Sequence, residues 1–165
     1  MKITLSINSK KSIEIGHTDL AMIIMCLDND KRHGKFFSRL FDHPASEVRS
    51  EVAGLSFLPL AELECLSRDT SIDVVQKVAN NKRALKYFEA PLIVKMISRD
   101  VSVATAIAYN LDKIRESARD EVIEVLLDHA DPTVMEIAQQ FEEDSLVDDI
   151  VDDANEDVNL VEGQD

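Results

Sequence analysis

The chain has 165 residues, of which 45% are hydrophobic and 30% are charged, a composition typical of a globular protein. Four Gly, four Pro and 5% aromatic residues without Trp argue against a loop-rich β fold and favour helices around an aliphatic core. Two Cys exclude a disulfide framework, and no apolar run reaches the roughly 20 residues that a bilayer requires. We therefore expect a mainly α-helical, cytoplasmic protein without a membrane-spanning segment.

The formal net charge of -14 is distributed unevenly along the chain. Residues 1–119 contain 18 basic and 15 acidic residues, a net charge of +3. Residues 120–165 contain 17 acidic residues and no Lys or Arg. The chain is therefore a nearly neutral body with a strongly acidic end, which could attract a basic partner, shield basic residues of the body or confer solubility.

The first residues predict a β-hairpin. Ile3, Leu5 and Ile7 alternate with polar residues, and Ile13 and Ile15 alternate again after a polar turn. An isolated hairpin is marginally stable in water, so we expect its apolar face to pack on the helix that follows.

Two short helices are predicted between this hairpin and residue 42. The first has apolar residues spaced three and four apart, at Leu20, Ile23, Ile24 and Leu27. The second carries Phe36, Phe37, Leu40 and Phe41. We assign residues 1–41 to a hairpin with capping helices.

From residue 42 onward the sequence repeats itself. Four units, spaced 27, 31 and 31 residues apart, begin at Asp42, Asp69, Asp100 and Asp131. Each unit then reaches a β-branched residue followed by an Ala, at Ala53, Ala79, Ala108 and Ala138. The spacing predicts a helix, a turn and a second helix in each unit, with the Asp capping the first helix. One such pair cannot bury its apolar stripe alone, so neighbouring pairs must stack on one another.

The unit that starts at Asp42 contains Val48-Arg49, Val52-Ala53, Pro59 and Leu66. This pattern resembles the HEAT-like helical repeat proteins, and their leucine-rich repeat variant type in particular. The resemblance covers about residues 42–140, although in the next unit Gln76 stands in place of the Arg and the spacing lengthens. It implies a short α-helical repeat array (an α-solenoid) over residues 42–143 that acts as a binding scaffold, but it names no partner.

The residue types needed for metal or covalent chemistry do not cluster in the sequence. Neither Cys-x-x-Cys nor His-x-x-x-His occurs, and Cys26 and Cys65 lie among apolar residues, so we interpret them as core thiols. The sequence contains no Gly-rich phosphate loop and no Gly-x-Ser-x-Gly motif. We expect no catalytic residues, no metal site and no cofactor.

Two groups of charged residues are candidate partner-binding sites. The basic group is Lys77, Lys82, Arg83, Lys86, Arg115 and Arg119. The acidic group is Asp148, Asp149, Asp152 and Asp153. The acidic group lies in residues 144–165, where apolar residues at helical spacing predict either a helix that caps the stack or a recognition helix that orders on a basic groove. Beyond Asn155 we expect disorder.

Our leading hypothesis is a non-enzymatic protein–protein interaction module, a small helical-repeat scaffold or adaptor. Its partner would be another protein, and the acidic end of the chain favours a basic partner. One alternative is an acidic inhibitor or immunity-type protein that neutralises a basic partner such as a nuclease. A second alternative is a nucleic-acid-binding repeat protein, which is less favoured because few aromatic residues interleave the basic ones. The sequence leaves open the partner, the face that binds it and the oligomeric state.

Overall fold

A computed structural model of the chain describes residues 3–7, 11–27 and 31–159, and for residues 5, 7, 11, 31 and 146–159 it describes the backbone alone. Helices dominate the described residues and follow a two-stranded antiparallel hairpin. The strands are β1 (Ile3–Ile7) and β2 (Lys11–Ile15). The helices are α1 (His17–Cys26), α2 (Gly34–Phe37), α3 (Ser46–Ala53), α4 (Leu60–Leu66), α5 (Ile72–Ala79), α6 (Lys82–Tyr87), α7 (Ala90–Ile97), α8 (Val101–Ala108), α9 (Glu116–Leu127) and α10 (Pro132–Asn159).

The predicted hairpin and the mainly helical class are both confirmed. Ile3 pairs with Ile15 and Leu5 pairs with Ile13. Ile3 and Ile15, at the open end of the hairpin, pack against the core. Ile13 is 57% exposed. The hairpin therefore contacts the body through its open end.

The helices after the hairpin lie in two series. Helices α1, α3, α5, α8 and α10 pack against one another in chain order, and we call this series row A. Row B consists of α4, α6, α7 and α9, in which α4 contacts α6 and α7 contacts α9. The two rows meet through helices that are consecutive in the chain, such as α3 with α4 and α7 with α8. Each predicted unit thus contributes its first helix to row A.

The core is aliphatic and contains the residues that recur in the units. The four recurring Ala are at most 3% exposed: Ala53, Ala79, Ala108 and Ala138. A methyl side chain allows neighbouring helices to approach closely, so these positions keep the helices of row A tightly packed. The centroid of the buried Phe37 ring lies 5.6 Å from that of Phe57, so this contact joins residues 1–41 to the helices that follow.

Two of the predicted Asp caps are present at the starts of row A helices. A carboxylate oxygen of Asp100 accepts a hydrogen bond from the N–H of Ser102 at 2.8 Å, and one of Asp131 accepts from the N–H of Thr133 at 2.9 Å. Both bonds satisfy N–H groups that have no partner within the helix. Helices α3 and α5 have no side-chain cap, so the predictions for Asp42 and Asp69 are wrong. Asp69 accepts instead from the N–H of Ser71, the residue before α5, at 2.8 Å.

Asn81 joins two units from a buried position. Its side chain is only 4% exposed, and its Nδ2 donates to the carbonyl oxygens of Ala53 at 2.8 Å and Leu55 at 3.1 Å. Its Oδ1 accepts from the N–H groups of Arg83 at 3.0 Å and Ala84 at 3.3 Å, and so caps α6. The Asn81 side chain therefore binds carbonyl groups at the end of α3 and N–H groups at the start of α6. These bonds hold the two units in a fixed relative position.

The two cysteines do not lie in the core. Cys26 and Cys65 are both exposed, so the interpretation as core thiols is wrong. The buried face of α4 is made by Leu63 and Leu66, which leaves position 65 on the outer side of the helix. Cys26 occupies the last position of α1, whose buried residues are Leu20 and Ile24.

Helix α10 continues without a break through residue 144, where the sequence suggests the start of a separate segment. The backbone is helical to Asn159, beyond the residue after which the sequence predicts disorder. Residues 160–165 lie outside the described part of the chain.

Candidate functional site

A groove of about 600 Å³ runs across three helices of row A. It is lined by residues of α1, α3 and α5, namely Ala21, Ser46, Glu47, Ser50, Glu51, Asp73, Gln76, Lys77 and Asn80. We call it the row A groove. Nearly all of these side chains are polar, because the apolar faces of α3 and α5 are turned inward to the core.

Carboxylates outnumber cations in the row A groove. Glu47, Glu51 and Asp73 lie in it, and Lys77 is the one basic residue among its lining residues. The Lys77 Nζ lies 3.4 Å from an Oε1 of Glu51, so the charge of Lys77 is already balanced within the protein. Glu47 and Asp73 are both exposed to solvent. The groove therefore presents a negative surface to a ligand.

Row A continues into a second, smaller depression between α8 and α10. This depression of about 370 Å³ is lined by Ala108, Tyr109, Glu136, Ile137, Gln140, Phe141 and Asp144. Tyr109 is 68% exposed, and the two charged residues in the lining, Glu136 and Asp144, are acidic. Row A thus combines carboxylates with an exposed aromatic ring along its length.

Row B has a local group of cations beside another exposed aromatic residue. Tyr87 is 51% exposed; the guanidinium carbon of Arg83 lies 5.9 Å from its ring centroid, and the Nζ of Lys86 lies 5.8 Å from it. Beside it lies a depression of about 430 Å³, the row B groove, lined by Glu64, Arg68, Tyr87, Phe88, Glu89, Pro91, Leu92 and Lys95. The ring face of Tyr87 attracts the cations of Arg83 and Lys86, so charged and apolar groups lie side by side at this groove.

The predicted basic residues do not form one continuous surface. Lys77 lies in row A, whereas Lys82, Arg83 and Lys86 lie on α6 in row B. Arg115 forms an ion pair with Glu89. These residues therefore divide between the two rows.

Arg119 is occupied by contacts within the chain. Its Nη2 donates to the carbonyl oxygen of Ile114 at 2.9 Å. Its guanidinium carbon lies 5.9 Å from the ring centroid of Phe141, so Arg119 also connects α9 to α10. We interpret Arg119 as a structural residue.

The predicted acidic residues lie on the C-terminal part of α10. Asp148, Asp149, Asp152 and Asp153 belong to a segment whose backbone is helical, and their side chains lie outside the described residues. The described side chains immediately before them, Glu142, Glu143, Asp144 and Ser145, are all exposed.

The acidic residues of the row A groove were missed by the sequence analysis, although a signal for them exists. When the units are aligned on Ala53 and Ala79, Glu47 corresponds to Asp73, and Glu51 corresponds to Lys77. Residues four apart share one face of a helix, so these aligned pairs mark the outer face of row A.

Among the described residues, no three His, Cys, Asp or Glu side chains converge in a way that could hold a metal ion. In the same part of the chain, no helix combines the length and the apolar character needed to cross a membrane. Comparison with protein-family models, with curated proteins and with solved structures finds no match to this chain.

Proposed function

We propose that this protein is a non-enzymatic protein-binding scaffold, a short HEAT-like helical repeat array that binds a basic polypeptide segment in the row A groove. The observation that carries the proposal is the excess of carboxylates over cations in a groove that crosses three successive helices. Its cytoplasmic location remains a prediction from the low cysteine content.

The repeat-array part of the proposal is supported by contacts that recur from unit to unit. The first helices of successive units pack on one another in chain order, and the recurring Ala is buried in each of them. Arg49 of the first unit binds Asp69 at the start of the second, and Asn81 of the second unit donates to the carbonyl oxygens of Ala53 and Leu55 of the first. Such nearest-neighbour contacts are what stabilises a repeat array.

The dimensions of the row A groove suit a peptide in an extended conformation. Packed helices lie about 8–10 Å apart, so three helices span about 20 Å. An extended chain advances about 3.3 Å per residue, so about six residues would cross the groove. Lys or Arg side chains of such a peptide would reach Glu47 and Asp73, whose carboxylates are exposed and available for charge-assisted hydrogen bonds.

The nucleic-acid alternative is less well supported. Neutralising phosphates requires several cations on one surface. Lys77, Arg115 and Arg119 make contacts within the chain, and the cations near Tyr87 share their groove with Glu64 and Glu89. The inhibitor alternative depends on Asp148, Asp149, Asp152 and Asp153, whose side chains lie outside the described residues.

A displayed library of random peptides tests the proposal, with the full-length chain as bait. We expect the selected peptides to be enriched in Lys and Arg and to bind more weakly as salt is raised from about 0.05 to 0.5 M. The double variant Glu47→Gln/Asp73→Asn should weaken binding of a selected peptide about tenfold or more, because it removes both exposed carboxylates of the groove.

The matched control is Glu116→Gln/Glu121→Gln, which removes two exposed carboxylates from α9 and leaves the groove intact. Equal losses of affinity in the two double variants would show that general charge, and not the row A groove, attracts the peptide. Selection of acidic or neutral peptides would overturn the proposal directly.

A further inference from the structure

Helix α10 leaves the body of the protein shortly after Phe141. Phe141 is packed against the core, but the next four residues, Glu142 to Ser145, are all exposed. Four consecutive helical residues point in all directions around the axis, since each is rotated by about 100° from the last. No face of this turn is therefore covered by the body.

The lengths of the helices lead to the same conclusion. Helix α10 has 28 residues, whereas α8, its neighbour in row A, has 8 residues. At about 1.5 Å per residue these helices are about 42 Å and about 12 Å long. The C-terminal half of α10 must therefore extend beyond the helix that supports its N-terminal half. We call residues 142–159 the acidic extension.

The sequence of the acidic extension is amphipathic and lacks cations. Its apolar residues recur at helical spacing, at Leu146, Val147, Ile150, Val151 and Ala154. Acidic residues occupy the positions between them, and Asp148 with Asp152 and Asp149 with Asp153 are like charges four residues apart. Such pairs destabilise an isolated helix, and two extensions paired with each other would add further repulsion. A surface that is both basic and apolar would relieve this repulsion and cover the apolar residues of the extension.

The row B groove is such a surface on this same protein. Arg68 and Lys95 line it, and Arg83 and Lys86 lie over the ring of Tyr87 at its edge. Two acidic residues also line it, Glu64 and Glu89, and the second of these is paired with Arg115. The apolar part of the lining includes Pro91 and Leu92. Four cations therefore lie in the groove or at its edge, against two acidic residues, one of which is already paired. Apolar residues lie beside these cations.

We propose that the acidic extension of one copy of the chain binds in the row B groove of a second copy. The extension belongs to one continuous helix whose residues Glu142 to Ser145 are exposed on all sides, so folding back onto the groove of its own chain would require this helix to break. The extension can reach the groove of a second copy without such a break in the helix. The apolar residues of the extension would pack beside Tyr87 and Leu92, and its carboxylates would bind Arg68, Lys86 and Lys95.

Charge exchange between full-length variants tests this proposal by sedimentation velocity. The groove variant carries Lys86→Glu and Lys95→Glu, both at exposed positions. The extension variant carries Asp149→Lys and Asp153→Lys. At about 0.05 M salt we expect the wild type to associate, with its mass rising from one chain of 18.5 kDa towards two as concentration increases. Each variant alone should remain a single chain, and an equimolar mixture of the two should associate again.

The mixture restores association because the reversed positions are again opposite in charge. The two lysines introduced into the extension of one variant meet the two glutamates introduced into the groove of the other, and the second interface is unchanged from the wild type. Lys35→Glu/Arg39→Glu, a double reversal at exposed residues outside the groove, should associate like the wild type and serves as the control. Circular dichroism spectra of all four proteins verify that each is folded.

Three results would overturn the proposal. The wild type could sediment as a single chain up to about 100 µM at low salt, which would indicate docking within one chain or no docking at all. The groove variant could associate as strongly as the wild type. The mixture of variants could fail to associate. None of these results concerns the row A groove, so the proposed function is tested separately.

Discussion

Arg49 and Asp69, which are 20 residues apart in the chain, form a two-point ion pair between the first two units. The Arg49 Nε lies 2.6 Å from one carboxylate oxygen and the Nη2 lies 2.8 Å from the other. The side chains are only 14% and 9% exposed, and the Nη1 of Arg49 also donates to the carbonyl oxygen of His43 at 2.7 Å. This geometry holds both side chains in one arrangement and fixes the position of one unit on the next.

Loss of this ion pair should destabilise the protein substantially. Arg49→Ala leaves the carboxylate of Asp69 largely buried without its counter-charge, so we expect the free energy of unfolding to fall by about 2–4 kcal/mol. Arg49→Lys keeps the charge but cannot make both bonds, and should lose about half as much. Urea denaturation followed by circular dichroism measures the free energy of unfolding of both variants. Arg68→Ala, at an exposed position, is the control and should change stability by less than about 0.5 kcal/mol.

Asp69 should also make the protein sensitive to acid. Burial alone would raise the pKa of Asp69, but the hydrogen bonds from Arg49 and Ser71 and the charges of Arg49 and Arg99 together lower it. The stabilisation is therefore complete above the pKa of an unfolded Asp, about 3.9, and is lost as the pH falls through the lower pKa of the folded state. Asp69→Asn should lose stability at pH 7 and show a weaker dependence on pH below about 4 than the wild type. Identical slopes of stability against pH would contradict this assignment.

Glu62 should change the pH dependence of stability in the opposite direction to Asp69. Burial raises the pKa of Glu62, and its hydrogen bond with Ser38 offsets only part of the shift. Its Oε2 is buried without a hydrogen-bond partner. Because the folded state favours the protonated form, this group reduces stability as the pH rises above the pKa of an unfolded Glu, about 4.3. Glu62→Gln should therefore stabilise the protein at pH 7 more than at pH 4, as measured by urea denaturation at the two pH values. A larger gain at pH 4 would refute this reasoning.

Asn81 should tolerate very few substitutions. Asn81→Asp preserves the oxygen that caps α6 but replaces the donor to the carbonyl oxygens of Ala53 and Leu55 with a buried negative charge. We expect a loss of about 3 kcal/mol in the free energy of unfolding. Asn80→Asp makes the same chemical change at the neighbouring exposed residue and should cost less than about 0.5 kcal/mol. Similar losses at the two positions would mean that Asn81 does not bridge the units.

The exposed cysteines provide a chemical test of the helix orientations. Cys26 and Cys65 should both react with a thiol reagent such as DTNB in the native protein, without the delay that global unfolding would impose. Cys65→Ser should change the free energy of unfolding by less than about 0.5 kcal/mol, because the side chain lies on the outer side of α4. Reaction that occurs only after urea is added would place these thiols in the core and contradict the orientation of α1 and α4.

Sequence patterns correctly predicted the features that are determined by residues close together in the chain. The alternation of Ile3, Leu5 and Ile7 predicted β1, and the recurring Ala in each unit predicted buried positions of row A. The cap at Asp100 was predicted because a cap joins groups only two or three residues apart. The prediction for Cys65 was wrong because an apolar neighbourhood in sequence does not indicate which side of a short helix faces the core.

The strand alternation, the helical spacing and the repeat of the units follow from the order of the residues, because each reflects a backbone periodicity of two or 3.6 residues. The distribution of charge over the surface does not follow from that order. In the sequence the charge divides into a nearly neutral body and an acidic end; in the folded chain the body is itself divided, with Glu47 and Asp73 on row A and Arg83 and Lys86 on row B. Helix packing brings together residues that are 20 to 30 positions apart, such as Arg49 with Asp69 and Asn110 with Asn80, and these contacts determine which charges share a groove.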